Sequence, residues 1–302
     1  MTKGISLAVQ DFIGFHNTEG RRRKTVVKYQ GTLRCFEEFA AQAGISLLSE
    51  VNLLMVDRFR AFRQTTLSPK SMHHEGSLLK SFFGWSADRG VMPTNPLENR
   101  KFSPPAAKPR GGPTIEQINA ILRASSDVRR TVIAVAAFAG VRIGEITRLR
   151  VEDVDFKANW LHIVSRKSFE TKSGQDWKVP LHPRLRKILE QASRGKDGWF
   201  FTAQASRKFP LGDHHINPKH VGSDFTKILE SLEIPVGRVS GFTFHSLRSS
   251  FKTICINAGV PREVVDVWQN HAPDRAASHV YYKLSDQESQ RFMLTVPFGD
   301  EE

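Results

Sequence analysis

The stretch Asn95–Pro113, NPLENRKFSPPAAKPRGGP, divides the chain. It is dense in proline, glycine and basic residues and has no apolar period, and Pro104-Pro105 stiffens it toward an extended form. It reads as an interdomain linker. Outward from it we place a first domain at 1–105, the linker proper at 106–113 and a second domain at 114–302.

Toward the N-terminus everything reads as helix. Val26, Tyr29, Leu33, Phe36, Ala40 and Ala43 recur at three-to-four spacing, which gives one apolar stripe over five turns. A second stripe runs through Val51, Met55, Phe59 and Phe62. Ser68-Pro69 is an N-cap followed by a first-turn proline. It opens a helix expected to reach Gly90, with Leu78, Leu79, Phe82 and Phe83 on its apolar side. About four helices fit this portion.

Toward the C-terminus the pattern changes. Thr114-Ile-Glu-Gln117 is a capping box for a helix through Leu122. Thr131–Ala139 reads as a buried helix stopped by Gly140, followed by a short amphipathic turn, Ile143–Leu149. Strand-like runs follow at Trp160–Val164, Ser168–Lys172 and Trp177–Leu181, with a hairpin turn at Ser173-Gly174. Helices return at Leu185–Ala192, Phe225–Leu232, His245–Asn257 and Arg262–Trp268. The fold class is mainly α in two domains: a helical bundle, then a mostly helical domain with a small antiparallel β-sheet.

Composition bounds the function. The 302 residues carry 44 Lys+Arg against 31 Asp+Glu, a formal charge of +13. Residues 1–110 hold 17 basic and 9 acidic side chains, so the shorter portion is the denser in positive charge. It contains the run Arg21-Arg22-Arg23-Lys24. A polyanionic partner is implied, without distinguishing nucleic acid from an acidic membrane or simple solubility. Cys35 and Cys255, the only cysteines, exclude a disulfide scaffold or a cysteine-based zinc site and suit a reducing cytoplasm. No apolar run approaches the roughly 20 residues of a membrane helix, and no signal peptide opens the chain.

Five short stretches place phosphate-binding and proton-transfer residues at element ends. Arg142 follows the Gly140 stop, with Glu145 one helical turn on. Lys172 sits beside a hairpin tip, and His245 and Arg248 lie one turn apart on a helix. Asn270-His271 and Tyr281-Tyr282 complete the set. Each has an ordinary structural reading alone, as an ion pair, a core histidine or core aromatics.

Their order is more specific. Gly140-Val-Arg142-Ile-Gly-Glu145-Ile, Thr171-Lys172-Ser-Gly with Val179-Pro180-Leu181, Phe244-His245-Ser246-Leu247-Arg248, and Gly259-Val260-Pro261 running ungapped into His271 resemble the boxes of the tyrosine recombinase (phage integrase) family. The resemblance covers nearly the whole chain. Three departures stand out: Gln269-Asn270 where the family usually has Leu-Gly, Ser246 where an aspartate is common, and ten residues from His271 to Tyr281 where nine are usual.

The resemblance implies a helical, SAM-like core-binding domain at 1–105 that clamps DNA, and a catalytic domain at 114–302. It implies Arg142, Lys172, His245, Arg248 and His271 as catalytic residues, Tyr281 as nucleophile with Tyr282 as the alternative, and Glu145 in support of Arg142. Lys167 is the alternative to Lys172 on the same hairpin. Arg21, Arg22, Arg23, Lys24, Lys28, Lys101, Lys108 and Arg110 are the expected DNA-binding cations. The residue types suit the chemistry. Two guanidiniums can meet the non-bridging oxygens of a phosphodiester with planar, paired donors. A tyrosine with a pKa near 10 needs nearby cations and a histidine acceptor, His245 or His271, to be available as phenolate at neutral pH. A lysine can protonate the departing 5′-oxygen. No metal or other cofactor is expected. The partner is double-stranded DNA, engaged as a homotetramer, with the free protein a monomer or weak oligomer and no membrane association. A catalytically impaired DNA-binding protein on the same fold, or a tyrosine enzyme that relaxes DNA or resolves its ends, are the alternatives. The apolar tail, Phe292, Met293, Leu294, Val296 and Phe298, must bury either on its own domain or on a neighbouring protomer.

Overall fold

Four helices carry the apolar stripes of the first portion: α1 (Ile5–Thr18), α2 (Arg23–Gln42), α3 (Leu53–Gln64) and α4 (Pro69–Asp88). The structure, a computed structural model, describes residues 3–106, 111–166, 171, 174–271 and 284–299. It divides into two units, Met1–Lys108 and Pro109–Glu302. In the first, Phe12, Leu33, Phe36, Phe59, Phe82 and Phe83 are fully buried. Helix α1 contributes Ile5, Ala8, Val9, Phe12 and Ile13 to that core, a stripe with the same three-to-four spacing as its neighbours. The expected cap at Ser68 forms, its Oγ accepting from Ser71 N at 3.3 Å ahead of Pro69, and the structure adds one at Asn52, whose Oδ1 accepts from Met55 N at 3.0 Å.

The segment read as the start of the linker is instead strapped to this bundle. Lys80 Nζ donates to Glu98 O at 2.7 Å and to Arg100 O at 2.9 Å. Arg100 pairs with Asp57 at 2.7 Å, and Leu97 is fully buried. Phe102 lies under the Arg60 guanidinium, 4.5 Å from ring centroid to Cζ. Only a glycine fits beneath that stack, since a Cβ on Gly76 would come 2.3 Å from Arg60 Nη1. The segment lacks a period because single side chains anchor it, not a repeating face.

The second unit is built around α6 (Asp127–Ala139), whose residues 131–139 are all buried. Helix α5 (Ile115–Arg123) opens on the expected capping box, Thr114 Oγ1 accepting from Gln117 N and Gln117 Oε1 from Thr114 N. After α7 (Ile143–Ile146) come β1 (Val154–Asp155), β2 (Trp160–Ile163) and β3 (Trp177–Pro180). They form one antiparallel sheet in the order β1-β2-β3, with Leu161 opposite Val179. The strand-like run Ser168–Lys172 lies outside the described residues apart from Thr171. Helices α8 (Pro183–Ser193), α9 (Pro218–Ser231), α10 (Ser246–Asn257), α11 (Arg262–Trp268) and α12 (Asp286–Leu294) complete the unit. Helices α5, α8 and α10 pack on α6.

Two helices start earlier than their apolar residues suggest. Helix α6 begins at Asp127, ahead of Thr131, because its first turn, Asp-Val-Arg-Arg, is polar and partly exposed. Helix α9 begins at Pro218, where Asn217 Oδ1 accepts from Lys219 N at 2.9 Å. The tail packs on its own unit: Met293, Val296 and Phe298 are buried, and the Phe298 ring lies 4.9 Å from that of Phe138. Among the described residues no helix is long and apolar enough to cross a membrane.

Candidate active site

Helix α6 ends at Gly140 with φ 64°, a left-handed conformation that costs a side-chain-bearing residue about 1–2 kcal/mol. Space demands glycine as well: a Cβ there would come 2.5 Å from the Phe251 ring and 2.8 Å from Gln269 Nε2. This tight stop turns the chain so that Arg142 caps α7. Glu145 fixes the arginine twice, accepting from its backbone N at 3.2 Å and from Nη1 at 3.1 Å. Arg142 Nη2 then reaches across to Asn270 O at 3.2 Å.

Arg248 comes from the first turn of α10 and is buried, 4 % exposed. Its Nη1 donates to Gly140 O and its Nη2 to Gln269 O. The two guanidiniums therefore anchor on the consecutive carbonyls of Gln269 and Asn270, and residues separated by more than a hundred positions share one corner. Burial, with Arg142 adding to it, lowers the Arg248 pKa to about 9. The side chain remains a cation at neutral pH, held among carbonyl dipoles and with donors to spare, since a guanidinium has five N–H groups.

His271 follows α11. Its backbone N donates to Asp266 O at 3.0 Å and its Nδ1 lies 3.2 Å from Asp266 Oδ1. Lys252, one turn beyond Arg248 on α10, pairs with the same carboxylate oxygen at 2.5 Å. Burial pushes the His271 pKa down, Arg248 and Lys252 push it the same way, and Asp266 opposes them. His245 stands exposed at the N-cap of α10. Lys167, Lys172, Tyr281 and Tyr282 lie outside the described residues, as do Lys108 and Arg110. The base of the lysine hairpin is described at Thr171, which is buried, its Oγ1 donating to Gln175 O at 2.8 Å.

The sequence profile of the phage integrase family matches residues 114–288, and that of the phage integrase N-terminal SAM-like domain matches residues 10–90. The chain belongs to the phage integrase family. A tyrosine recombinase of Pseudothermotoga lettingae is 26 % identical over 279 residues, covering 87 % of this chain and 88 % of the relative. Tyrosine recombinase XerC of Oceanobacillus iheyensis is 21 % identical over 97 % of both chains. Two solved structures share the fold. The lambda integrase tetramer bound to a Holliday junction has a TM-score of 0.71 at 15 % identity, over 94 % of this chain and 80 % of that one. The Tn1549 transposon integrase in complex with circular intermediate DNA has a TM-score of 0.70 at 16 % identity, over 94 % and 97 %.

Two departures of this integrase from its family's pattern have local physical reasons. Asn270 stands where glycine is usual and adopts φ 45°, a conformation that asparagine tolerates better than most residues. Gln269, 1 % exposed, stands where leucine is usual, and its Nε2 donates to Arg248 O at 2.8 Å. Ser246, where aspartate is common, accepts from Thr243 N at 3.0 Å and closes the turn into α10. The sequence reading missed Lys252, Asp266 and the anchoring by Gln269. Lys252 stood in view four residues after Arg248, but nothing local pairs it with a residue on another helix.

The exposed cations behave differently. Arg21, Arg22, Arg23, Lys24 and Lys28 are all exposed around the start of α2, and Lys101 is exposed after the bundle. No acidic residue stands in the first turn of α2. Positive charge at a helix N-terminus opposes the helix dipole, so this run does not serve the stability of the helix.

Proposed function

We propose that this tyrosine recombinase breaks and rejoins double-stranded DNA at specific sites through a 3′-phosphotyrosyl intermediate, with Arg142 and Arg248 holding the scissile phosphate. The observation that carries the reading is the anchoring of both guanidiniums on consecutive carbonyls, Gln269 and Asn270. Donors fixed before the reaction need no reorganisation when charge builds on the non-bridging oxygens, and removing one such donor typically costs about 3–4 kcal/mol of barrier. Glu145 holds Arg142 in place. Tyr281, with Tyr282 as the alternative, attacks phosphorus, and Lys172, with Lys167 as the alternative, protonates the departing 5′-oxygen. His245 and His271 supply hydrogen bonds and a proton acceptor. A 5′-hydroxyl of a second duplex then attacks the phosphotyrosyl bond, which conserves the energy of the broken linkage.

The exposed cations at the start of α2, together with Lys28, Lys101, Lys108 and Arg110, fit non-specific phosphate contact. The lambda integrase tetramer on a Holliday junction supports four protomers working on two duplexes.

The test is a nicked suicide substrate bearing the cognate site, incubated without added metal. The expected product is a covalent protein–DNA adduct that survives denaturation, is lost in Tyr281→Phe and persists in Tyr282→Phe. The reverse pattern moves the nucleophile to Tyr282. Absence of any adduct on tightly bound DNA rejects the reading in favour of a DNA-binding protein on the recombinase fold.

A further inference from the structure

Helix α10 carries Arg248 on one face and is gripped on the opposite one. With 3.6 residues per turn, positions 246 and 250 share a face, and position 248 points about 180° away from it. That back face meets the chain just ahead of α5. Ser250, 2 % exposed, donates from Oγ to Pro113 O at 2.6 Å. Pro113 is itself buried. Gly112 lies so close to α10 that a Cβ on it would fall 2.7 Å from Ser250 N, and closer still to Ser250 Oγ and Ser246 O. Two of those three atoms are backbone of α10 and cannot swing aside. Gly112 does not have a positive φ, so close approach, and not conformational freedom, is what demands glycine here.

The clasp is anchored on both sides. Thr114, the next residue, exchanges hydrogen bonds with Gln117 at the start of α5, and α5 packs on α6. Helix α10 packs on α6 as well, with the Phe251 ring against Gly140. All of these parts belong to the second unit. The stop of α6 at Gly140 therefore stands in front of α10, and residues 112–113 stand behind it. Such a frame answers a physical need. Arg248 is 4 % exposed on the carbonyls of Gly140 and Gln269, and a cation that has lost its hydration favours any movement back toward water. Two hydrogen bonds can bend as the helix withdraws. A hard contact behind the helix cannot.

We propose that Gly112 and Ser250 are positioning residues for the reaction: the Gly112-Pro113 segment is a backstop that sets the depth of α10 and so the place from which Arg248 presents its remaining N–H groups to the scissile phosphate. This rests on the phosphotyrosyl reading above and adds to it the part that holds the arginine from behind. Neither residue touches the phosphate, and both act through the helix. Residues 112–113, which the sequence reads as the last of a linker, are in this role part of the site's support. A misplacement of about 1 Å at a reacting centre can cost on the order of 100-fold in rate, so a contact without slack at this point has a large effect on the chemistry and a small one on DNA affinity.

The test is a double-mutant cycle on the full chain, read as the rate of adduct formation on the suicide substrate and as gel-shift affinity for the same site. Gly112→Ala should slow adduct formation about 100-fold and leave affinity nearly unchanged. In an Arg248→Lys background, where the paired donors are already gone, the same change should cost little. A role confined to stability would multiply both rates by the same factor, and equal factors in the two backgrounds overturn the proposal. So does a Gly112→Ala protein that reacts at the wild-type rate. Ser250→Ala takes one oxygen out of the clasp and serves where Gly112→Ala does not fold. It should slow adduct formation about 10-fold, the upper range for one hydrogen bond, again only while Arg248 is present. Full rate in Ser250→Ala, or an equal loss in both backgrounds, counts against the backstop in the same way. No adduct from the wild type rejects the phosphotyrosyl reading and the backstop with it. A wild-type adduct with equal factors rejects the backstop alone.

Discussion

The two units hold positive charge in opposite ways. At the start of α2, Arg21, Arg22, Arg23 and Lys24 crowd an exposed helix end with no acidic residue in the first turn. In the second unit, Arg248 is buried between the carbonyls of Gly140 and Gln269, and Arg142 is pinned by Glu145 and Asn270. Exposed charge is screened beyond about 8 Å at physiological salt, so the first set can attract a polyanion without fixing where it sits. The second set is fixed in direction before any ligand arrives. On the proposed function, the first set supplies affinity and the second supplies chemistry.

The strongest way to break this comparison is Arg248→Lys. An ammonium keeps the charge but cannot fork onto two carbonyls and a phosphate, so adduct formation should fall about 10²–10³-fold. Gel-shift affinity for the site should fall far less. Equal losses in both would mean that the buried arginine serves binding and not the reaction.

Replacing Arg21, Arg22, Arg23 and Lys24 together by glutamine probes the other side. Each lost phosphate contact should make the plot of log affinity against log salt shallower by about 0.9. The melting temperature should hold or rise, because like charges leave a helix N-terminus. An unchanged salt slope would remove this helix end from the DNA contact.

A smaller effect is expected at the joint that places Arg248. Gly140→Ala adds the left-handed penalty of about 1–2 kcal/mol and pushes on Phe251 and Gln269. Thermal melting should drop, and cleavage should slow as the Gly140 carbonyl shifts under Arg248. A variant with lowered stability and full cleavage activity would separate the turn from the site.

The gentlest contrast is in pH. Glu75 of the first unit is buried beside Arg63, and burial outweighs that pairing, so its pKa lies above the ordinary 4.5. The folded state then binds the extra proton, and stability at this position is present below 4.5 and lost as pH rises past it. At Asp266 burial pushes upward, but the Lys252 and His271 partners outweigh it and hold the carboxyl below 3.8. Its contribution is present above 3.8 and lost as pH falls through the lowered value. Relative to wild type, Glu75→Gln should therefore gain stability as pH rises above 4.5. Asp266→Asn should lose stability above 3.8 and approach wild type in stronger acid. Chemical denaturation at a series of pH values reads both, and parallel behaviour of the two variants would refute the assigned signs.

Much of the fold was legible because its signals are local. Stripes such as Val26–Ala40, with the expected Ala43 exposed just past the end of α2, the Ser68-Pro69 start and the Thr114–Gln117 box need only neighbours within a few residues. The misreadings came where anchoring is not periodic. The strap from Asn95 to Phe102 is held by Lys80, Asp57 and Arg60, each far away in sequence. The early start of α9 at Pro218 rests on a cap that precedes its apolar residues. At the site, the order of Arg142, Glu145, His245, Arg248 and His271 along the chain was enough to name them as candidates. The order says nothing of what supports each one, and so Lys252, Asp266 and Gln269 stayed hidden.

By itself the sequence determined the helical bundle, the helix-and-sheet second domain, the unequal spread of charge and an ordered set of reactive side chains. All of these are written in composition or in spacing along one element. Only the tertiary structure decided that Arg248 is buried on the Gly140 and Gln269 carbonyls, that Asp266 faces both Lys252 and His271, and that Phe298 returns to pack on Phe138. Such contacts join distant parts of the chain, and the helix period does not reach beyond its own element. They exist because α6, α10 and α11 pack into one core, and the direction of each cation follows from that packing.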